Sequence, residues 1–229
     1  MKKILTLLAL TISFIMNAQL TAVTEGGNTG QRLSTSNASN HGDIGSNAVD
    51  LSYSSSASST RGATGSNAVA MGLNTTASGT YSKAMGANTT ASGSYSTAMG
   101  INTEASGTGS TAMGALSHAS GESSTVMGSI VIASGHNSTA MGQYTIASDF
   151  ASLVIGQFNS SGSSATSASS FSTSAPAFVI GNGTASNARS DAFKVMFNGD
   201  ATVSNDLTVS GDVVISSDAR LKSNIVSLG

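Results

Sequence analysis

The chain has 229 residues, a formal net charge of −2, and only 9% charged and 5% aromatic residues. The charged fraction lies far below the about 25% of an ordinary globular domain, and the small net charge excludes a basic surface that would attract nucleic acid. Because there is no cysteine, disulfide bonds cannot stabilise the fold, and repetition and self-association must do so instead.

Residues 1–19 predict a secretory signal peptide. Lys2 and Lys3 precede an apolar stretch at residues 4–16, and small polar residues follow it. The apolar stretch is too short to span a bilayer as a helix, and no later segment of the sequence is long or apolar enough to do so. We therefore expect export to the cell surface or the extracellular space, with no membrane-spanning segment after signal removal. Residues 20–40 are assigned as an N-terminal lead-in.

A fourteen-residue repeat runs through residues 41–185. Its first column is a methionine followed by glycine, continued by one isoleucine: Met71, Met85, Met99, Met113, Met127, Met141 and Ile155. Its second column is an Ala-Ser-Gly triplet, which begins at Ala77, Ala91, Ala105, Ala119 and Ala133. Repeats of this kind predict stacked coils that bury their apolar faces against their neighbours.

Fourteen residues accommodate two short strands and two tight turns. The clearest strand is predicted at residues 96–101. We expect Gly93 and its equivalents to supply the permissive backbone of one corner, and Asn74, Asn88 and Asn102 that of the other. A helix is disfavoured because two glycines per coil would each cost about 1 kcal/mol. The predicted fold is therefore all-β, a parallel β-roll with coils about 4.8 Å apart.

The two faces of the predicted strand differ in character. Alternation places Ala98 and Gly100 on one face, and Thr97, Met99 and Ile101 on the other. One face fills the coil, and the other must meet something else. Lys83 lies on the same face as the methionines, which indicates that this face is not sealed within the coil. A coil of such small side chains buries too little apolar area to fold alone. We infer self-association through the methionine column, as a homotrimer; a lone solenoid with an exposed methionine stripe is the alternative.

The phase of the repeat is disturbed twice. Residues 45–49 and 65–69 match at a spacing of 20, which predicts a six-residue insertion in the first coil. The step from Ile155 to Ile180 is 25 residues, or 14 plus 11, and the serine-rich residues 159–176 form the predicted loop. Such loops often carry binding in solenoids, but flexible filler is the favoured interpretation of this one.

Residues 82–93 (SKAMGANTTASG) and 96–100 (STAMG) resemble the head repeats of trimeric autotransporter adhesins of the YadA type. The resemblance covers roughly residues 40–185. It implies a left-handed parallel β-roll that assembles as a homotrimer at a cell surface. It is informative about the fold and says little about a ligand.

A six-residue period replaces the longer repeat after Arg189. Residues 199–204, 205–210 and 211–216 align without gaps, with apolar residues in the third and fifth places. This pattern predicts a three-residue strand and a turn in each hexad. Over residues 186–216 we predict an intertwined or triangular β-neck, with an ordinary β-meander as the alternative.

Residues 217–225 (SDARLKSNI) resemble the opening of the intramolecular chaperone domain of phage endosialidase tailspikes and tail fibres, and residues 217–229 are assigned as the start of such a domain. The resemblance implies self-cleavage between Ser217 and Asp218, with Ser217 as nucleophile and Lys222 as its activator, since a desolvated lysine can lose its charge and act as a base. The sequence ends at Gly229, so most of such a domain lies outside it. We therefore expect no self-cleavage from the chain as given; the natural product is longer, or this is a truncated copy.

The sequence offers no other chemistry. His41, His118 and His136 fall in unrelated phases of the repeat with no cysteine or carboxylate cluster, so no metal site is predicted. The glycines are spaced for coils and do not form a phosphate-binding loop, so no cofactor is expected. No Ser-His-Asp arrangement stands out, and we expect no enzyme activity apart from the self-cleavage above.

The favoured function is that of an exported, non-enzymatic fibre or adhesin head, whose partners are its own copies and possible host or matrix proteins or glycans. A phage-type tail fibre or spike shaft is the first alternative, and a carbohydrate-binding solenoid is the second. Ice binding is disfavoured because Ser117 and Val131 break the threonine row of Thr75, Thr89 and Thr103.

Overall fold

The computed structural model describes residues 20–210, which form strands and turns with no α-helix. A single 3-10 turn lies at Ala38–Asn40. The strands, in chain order, are β1 Leu20–Glu25, β2 Asn28–Leu33, β3 Val49–Tyr53, β4 Gly62–Ala63, β5 Val69–Leu73, β6 Thr76–Ala77, β7 Lys83–Ala87, β8 Thr90–Ala91, β9 Thr97–Ile101, β10 Glu104–Ala105, β11 Thr111–Ala115, β12 His118–Ala119, β13 Thr125–Ser129, β14 Ile132–Ala133, β15 Thr139–Gln143, β16 Ile146–Ala147, β17 Leu153–Gln157, β18 Pro176–Asn182, β19 Asp191–Met196 and β20 Ala201–Val203.

The strands form two ladders that face each other across a narrow interior. The larger sheet has the order β1-β2-β3-β5-β7-β9-β11-β13-β15-β17-β18-β19-β20, and the smaller one the order β16-β14-β12-β10-β8-β6-β4. From β2 to β18, neighbouring strands of the larger sheet are parallel, and Met85 pairs with Met99 fourteen residues later. The predicted all-β parallel solenoid with fourteen-residue coils is confirmed.

The interior of each coil is filled by small side chains. Alanine or valine is fully buried at the second position of the larger-sheet strands, and alanine at the second position of the smaller-sheet strands. These residues are Ala70, Ala84, Ala98, Ala112, Val126, Ala140 and Val154, and Ala63, Ala77, Ala91, Ala105, Ala119, Ala133 and Ala147. The predicted alternation is confirmed at β9, since Ala98 is buried while Met99 points to the other side of the sheet.

The corners use asparagine as predicted but use glycine differently. Asn88 and Asn102 each adopt a left-handed backbone with a φ of 52°. At the opposite corner Gly93 does not, and the left-handed residue is Tyr95, with a φ of 60°. A β-carbon on Gly93 would instead overlap the carbonyl oxygen of Gly107 in the next coil. The glycine is therefore required for close stacking of the coils, and the prediction that it supplies a permissive φ is wrong.

Both disturbances of the repeat are absorbed without loss of register. Val49 pairs with Val69, and Ile155 pairs with Ile180, so the extra residues lie outside the strands of the larger sheet. The serine-rich loop lies against the last coil. There the carboxylate Oδ1 of buried Asp149 accepts hydrogen bonds from the backbone N–H groups of Thr166 and Ser167, at 2.5 Å and 2.7 Å.

Antiparallel strands stand at both ends of the solenoid. The β1–β2 hairpin precedes the first coil, and β18, β19 and β20 form a meander after the last one. The first hexad supplies β20, while residues 204–210 contain no strand. In residues 176–203 the chain thus follows the meander alternative. The predicted signal peptide of residues 1–19, the third hexad, and Ser217 and Lys222 lie outside the described residues.

Candidate interaction surface

The outward side of the larger sheet carries an apolar strip, which we call the methionine face. Its central column consists of Met71, Met85, Met99, Met113, Met127, Met141 and Ile155. Met71 is 43% exposed, and Met85, Met99, Met113, Met141 and Ile155 are half-buried. Because these side chains stack at the strand spacing of about 4.8 Å, they form one continuous strip rather than scattered apolar residues. A strip of this kind marks an interaction surface.

The methionine face changes character along its length. Beside the central column, the last residues of successive strands are Leu73, Ala87, Ile101 and Ala115, and then Ser129, Gln143 and Gln157. Leu73 and Ile101 are exposed. The amino-terminal half of the face is therefore apolar across two columns, whereas the carboxyl-terminal half is apolar only at its centre.

Two lines of left-handed residues flank the methionine face, one at each corner of the coil. The first corner column consists of Asn67, Tyr81, Tyr95, Gly109, Ser123, Asn137 and Ala151. The second corner column consists of Asn74, Asn88, Asn102, Leu116, Ile130, Tyr144 and Phe158. Their φ angles lie between 41° and 68°. Asparagine and glycine adopt this conformation readily, but large and branched side chains do so only under strain.

Aromatic rings stack within both corner columns. Tyr81 and Tyr95 stack with ring centroids 5.2 Å apart, and they are 45% and 63% exposed. Tyr144 and Phe158 stack at 4.4 Å. Arg189 lies over the Phe158 ring at 5.9 Å and donates from Nη1 to the carbonyl oxygen of Tyr144. The tyrosines of the first column remain open to solvent, whereas Arg189 covers part of the second column.

Acidic partners of the histidines were missed in the sequence. His118 Nδ1 lies 3.2 Å from Glu104 Oε2, and His136 Nδ1 lies 3.7 Å from Glu122 Oε2. Each glutamate precedes its histidine by fourteen residues and therefore occupies the same column one coil earlier. The sequence analysis considered only clusters that could hold a metal and did not identify these single pairs, although the repeat period itself was the signal. Within residues 20–210 no three ligand-type side chains cluster as a metal site would require.

The threonine row faces inward. Thr75, Thr89 and Thr103 are buried inside the coil, with at most 1% of their surface exposed. They cannot contact ice or a carbohydrate, which is a stronger argument against ice binding than the breaks at Ser117 and Val131. The residues that follow them, such as Thr76 and Thr90, lie on the outward side of the smaller sheet.

A buried ionic cluster lies beneath the amino-terminal hairpin. The carboxylate of Asp50 is fully buried and lies 3.1 Å from His41 Nδ1 and 3.4 Å from Arg32 Nε. Burial alone would raise the pKa of Asp50, but hydrogen bonds from His41 and from the hydroxyl and backbone N–H of Ser52 hold it below its ordinary value. Glu25 accepts from Arg32 Nη1 at 2.7 Å and from the backbone N–H of Ile44 at 3.0 Å. The cluster thus fastens the hairpin to the first coil.

Ser52, His41 and Asp50 lie together without the geometry of a catalytic triad. The Ser52 hydroxyl donates to Asp50 Oδ1 at 2.6 Å, and the same imidazole nitrogen, Nδ1, faces both Asp50 and Ser52. A triad needs the serine on one ring nitrogen and the carboxylate on the other. Here the carboxylate holds the serine directly, so the arrangement orders the backbone around β3 and does not activate a nucleophile. Sequence reasoning missed this cluster because two of its residues, Arg32 and His41, belong to neither column of the repeat.

The comparisons with known proteins agree with this architecture. The family model of the YadA head domain repeat matches residues 63–82, 77–103, 105–129 and 133–158. No curated protein matches the chain. The matched segments extend from β4 to β17, the most regular part of the solenoid. The fold and these segments together define a class, a parallel β-solenoid that carries YadA head domain repeats. In residues 20–210 we find no helix with the length and hydropathy of a membrane span.

Proposed function

We propose that the chain is the head of an exported trimeric adhesin or surface fibre, in which the methionine faces of three copies meet around a common axis. The observation that carries this proposal is the apolar central column, which runs through seven coils and which the chain leaves partly exposed. YadA head domain repeats in the same segment support it.

The energetics of the coil favour association. The interior consists of alanine and a few valines together with buried serine and threonine, small side chains whose burial contributes little per residue, whereas the methionines lie on the outward side of the larger sheet. Burying a fully exposed methionine side chain is worth about 1.5–3 kcal/mol, and a half-buried member of this column gains about half of that when its burial is completed. The column contains six methionines and one isoleucine. The joint burial of these seven side chains would therefore stabilise the trimer by several kcal/mol.

The dimensions of the face are sufficient for a specific interface. Seven coils about 4.8 Å apart and five-residue strands rising about 3.3 Å per residue give a projected area of roughly 500 Å² per chain. Two such faces together reach about 1,000 Å², the lower bound for a specific protein interface. The corner columns add to this area.

Attachment would take place through the outward side of the smaller sheet. Its outward residues are polar from β6 to β12, with Glu104 and His118 forming a partly exposed pair, and are isoleucines in β14 and β16. Three copies of a weak site on one head raise the effective concentration for the second and third contacts. Host or matrix proteins or glycans are the partners that such a polar, repetitive surface fits, and the signal peptide of residues 1–19 would direct the chain to the cell surface.

Sedimentation analysis of the chain expressed without residues 1–19 tests the proposal. We expect a species of three times the chain mass that persists at micromolar concentration. A monomer at all concentrations would refute the trimeric head. Arrays of glycans and matrix proteins probed with the same trimer then separate an adhesin, which binds a defined subset, from an inert fibre, which binds none.

The carboxyl-terminal motif supports a second candidate, a phage-type fibre with a self-cleaving chaperone. Ser217 and Lys222 occupy the positions of nucleophile and activator in that resemblance. If the gene continues past Gly229, we expect its product to be cut between Ser217 and Asp218, and Ser217→Ala to abolish the cut. Mass spectrometry of the extended product distinguishes the two, because an intact wild-type product removes this candidate and leaves the adhesin head unaffected.

A further inference from the structure

In each coil from β7 to β17, one corner column carries a large side chain and the other corner column carries a smaller one. Each coil contributes one residue to each column, before and after its long strand. From β7 to β17 the paired residues are Tyr81 and Asn88, Tyr95 and Asn102, Gly109 and Leu116, Ser123 and Ile130, Asn137 and Tyr144, and Ala151 and Phe158. Wherever one corner carries a large side chain, the other carries a smaller one.

The backbone at these corners adopts the left-handed conformation even where the side chain is large or branched. Asn88, Asn102 and Gly109 show that residues suited to a left-handed φ are available to the repeat. Leu116 nevertheless adopts a φ of 54° and the β-branched Ile130 a φ of 57°, at a cost of about 1–2 kcal/mol each. Leu116 remains 55% exposed. Strain kept for an exposed apolar side chain indicates a contact made outside this chain.

We propose that the first corner column of one protomer packs against the second corner column of the next at the same level, so that the matched sizes fix the axial register of the trimer. The occupant of each corner is a second copy of this chain. This inference rests on the trimer proposed above, in which the methionine faces point to the axis and neighbouring corners meet. Rotation about a threefold axis includes no translation, so each coil meets the corresponding coil of its neighbour.

If neighbouring chains are shifted by one coil along the axis, the sizes of the facing corner side chains match less well. A shift of one coil in one direction sets Tyr95 against Leu116, two large side chains, while its other four pairs still combine a large side chain with a smaller one. A shift in the other direction sets Gly109 against Asn102, which leaves a gap at one of its five pairs. A staggered contact of this head-to-tail type also fails to close and would extend into a helical filament. The size matching therefore favours a closed ring over an open assembly.

A double-mutant cycle on the full exported chain tests the pairing. Gly109→Tyr places a tyrosine opposite the neighbour's Leu116, and Leu116→Asn recreates the Tyr–Asn pairing found at the two preceding coils. We expect Gly109→Tyr to raise the trimer dissociation constant at least about tenfold and the double variant to recover most of that loss. Ile130→Asn, one coil further on, is the matched control and should give no recovery. Positions 109 and 116 lie about 20 Å apart in one chain, so coupling between them reports a contact between chains.

The reciprocal pair guards against a folding failure of Gly109→Tyr. Tyr95→Gly with Asn102→Leu copies the Gly–Leu pairing onto the preceding coil, and both new residues already occupy equivalent corners. We expect each single variant to weaken the trimer and the pair to recover it. Equal recovery by Leu116→Asn and Ile130→Asn, or no coupling in either cycle, overturns the register pairing. A trimeric wild type without coupling refutes this inference alone, whereas a monomeric wild type refutes the proposed trimer as well.

Discussion

Stacking of the coils depends on glycines whose missing side chain leaves room for the next coil. Gly100 has a φ of 126°, and a β-carbon there would also overlap the carbonyl oxygen of Gly114. Gly93 has the overlap without a positive φ. Gly109 has a φ of 68° but little crowding, since its nearest neighbour would be Ser123 Oγ at 3.4 Å. Alanine at these three positions therefore separates the cost of overlap from the cost of backbone strain.

We expect the destabilisation to follow the order Gly100→Ala, then Gly93→Ala, then Gly109→Ala. Within its own chain, Gly109→Ala adds only left-handed strain, about 1 kcal/mol. Gly93→Ala forces two coils apart, and by analogy with overpacked cores this costs about 1–3 kcal/mol. Gly100→Ala carries both terms and should cost about 3 kcal/mol or more, since backbone strain adds about 1–3 kcal/mol. Guanidinium unfolding followed by circular dichroism measures the differences at constant protein concentration. Equal effects of Gly100→Ala and Gly109→Ala would refute the argument that close stacking requires the glycines.

Three further predictions concern the ionic cluster, the methionine face and the serine-rich loop. Because the folded-state pKa of Asp50 is depressed below 3.8, its ionised form stabilises the fold above that pH, and this contribution is lost as the pH falls through the folded-state pKa. Thermal melts between pH 2 and 5 should therefore show a smaller acid-induced decrease in melting temperature for Asp50→Asn than for the wild type. Met99→Lys should dissociate the trimer by placing unpaired charges at the axis, at a cost of about 3–5 kcal/mol. Thr90→Lys on the smaller sheet is the control and should leave the sedimentation unchanged. A Met99→Lys variant that remains trimeric would contradict the proposed interface. Asp149→Ala removes the acceptor for the N–H groups of Thr166 and Ser167 and should speed proteolysis within residues 159–175 by several-fold; unchanged cleavage would show that this carboxylate does not hold the loop.

The regular coils could be predicted from sequence because each repeat places the same residue in the same surroundings. The Met99 column, the buried Ala98 column and the left-handed Asn102 all followed from period and alternation. The role of Gly93 could not be predicted in this way. A turn that needs a positive φ and a contact too close for a β-carbon both require glycine, so the sequence does not distinguish them. The corner at Tyr95 was missed for a related reason, since tyrosine is not a residue that propensity assigns to a left-handed backbone.

The ends of the solenoid were the least predictable part. Asp50 is buried with Arg32 and His41 through contacts between the hairpin and the first coils, which no period describes. Similarly, the strand of the first hexad, Ala201–Val203, pairs with β19 in a meander, although its sequence pattern fitted a neck equally well. Short strands carry little information about their partners, because register and neighbour are set by tertiary packing.

Departures from the repeat carry as much information as the repeat itself. The glycine column that contains Gly121 and Gly135 continues at Asp149. A side chain is allowed there because the chain leaves the coil after β17, and the carboxylate is then used to hold the loop that covers this end. The exchange of Asn102 for Leu116 in the second corner column, at the coil where Tyr95 gives way to Gly109 in the first, follows the same logic. In a solenoid whose coils are otherwise equivalent, a residue that departs from the repeat marks a coil with different surroundings. The loss of the stacking glycine at Asp149 marks the end of the stack, and the strained Leu116 marks the proposed contact with a neighbouring chain.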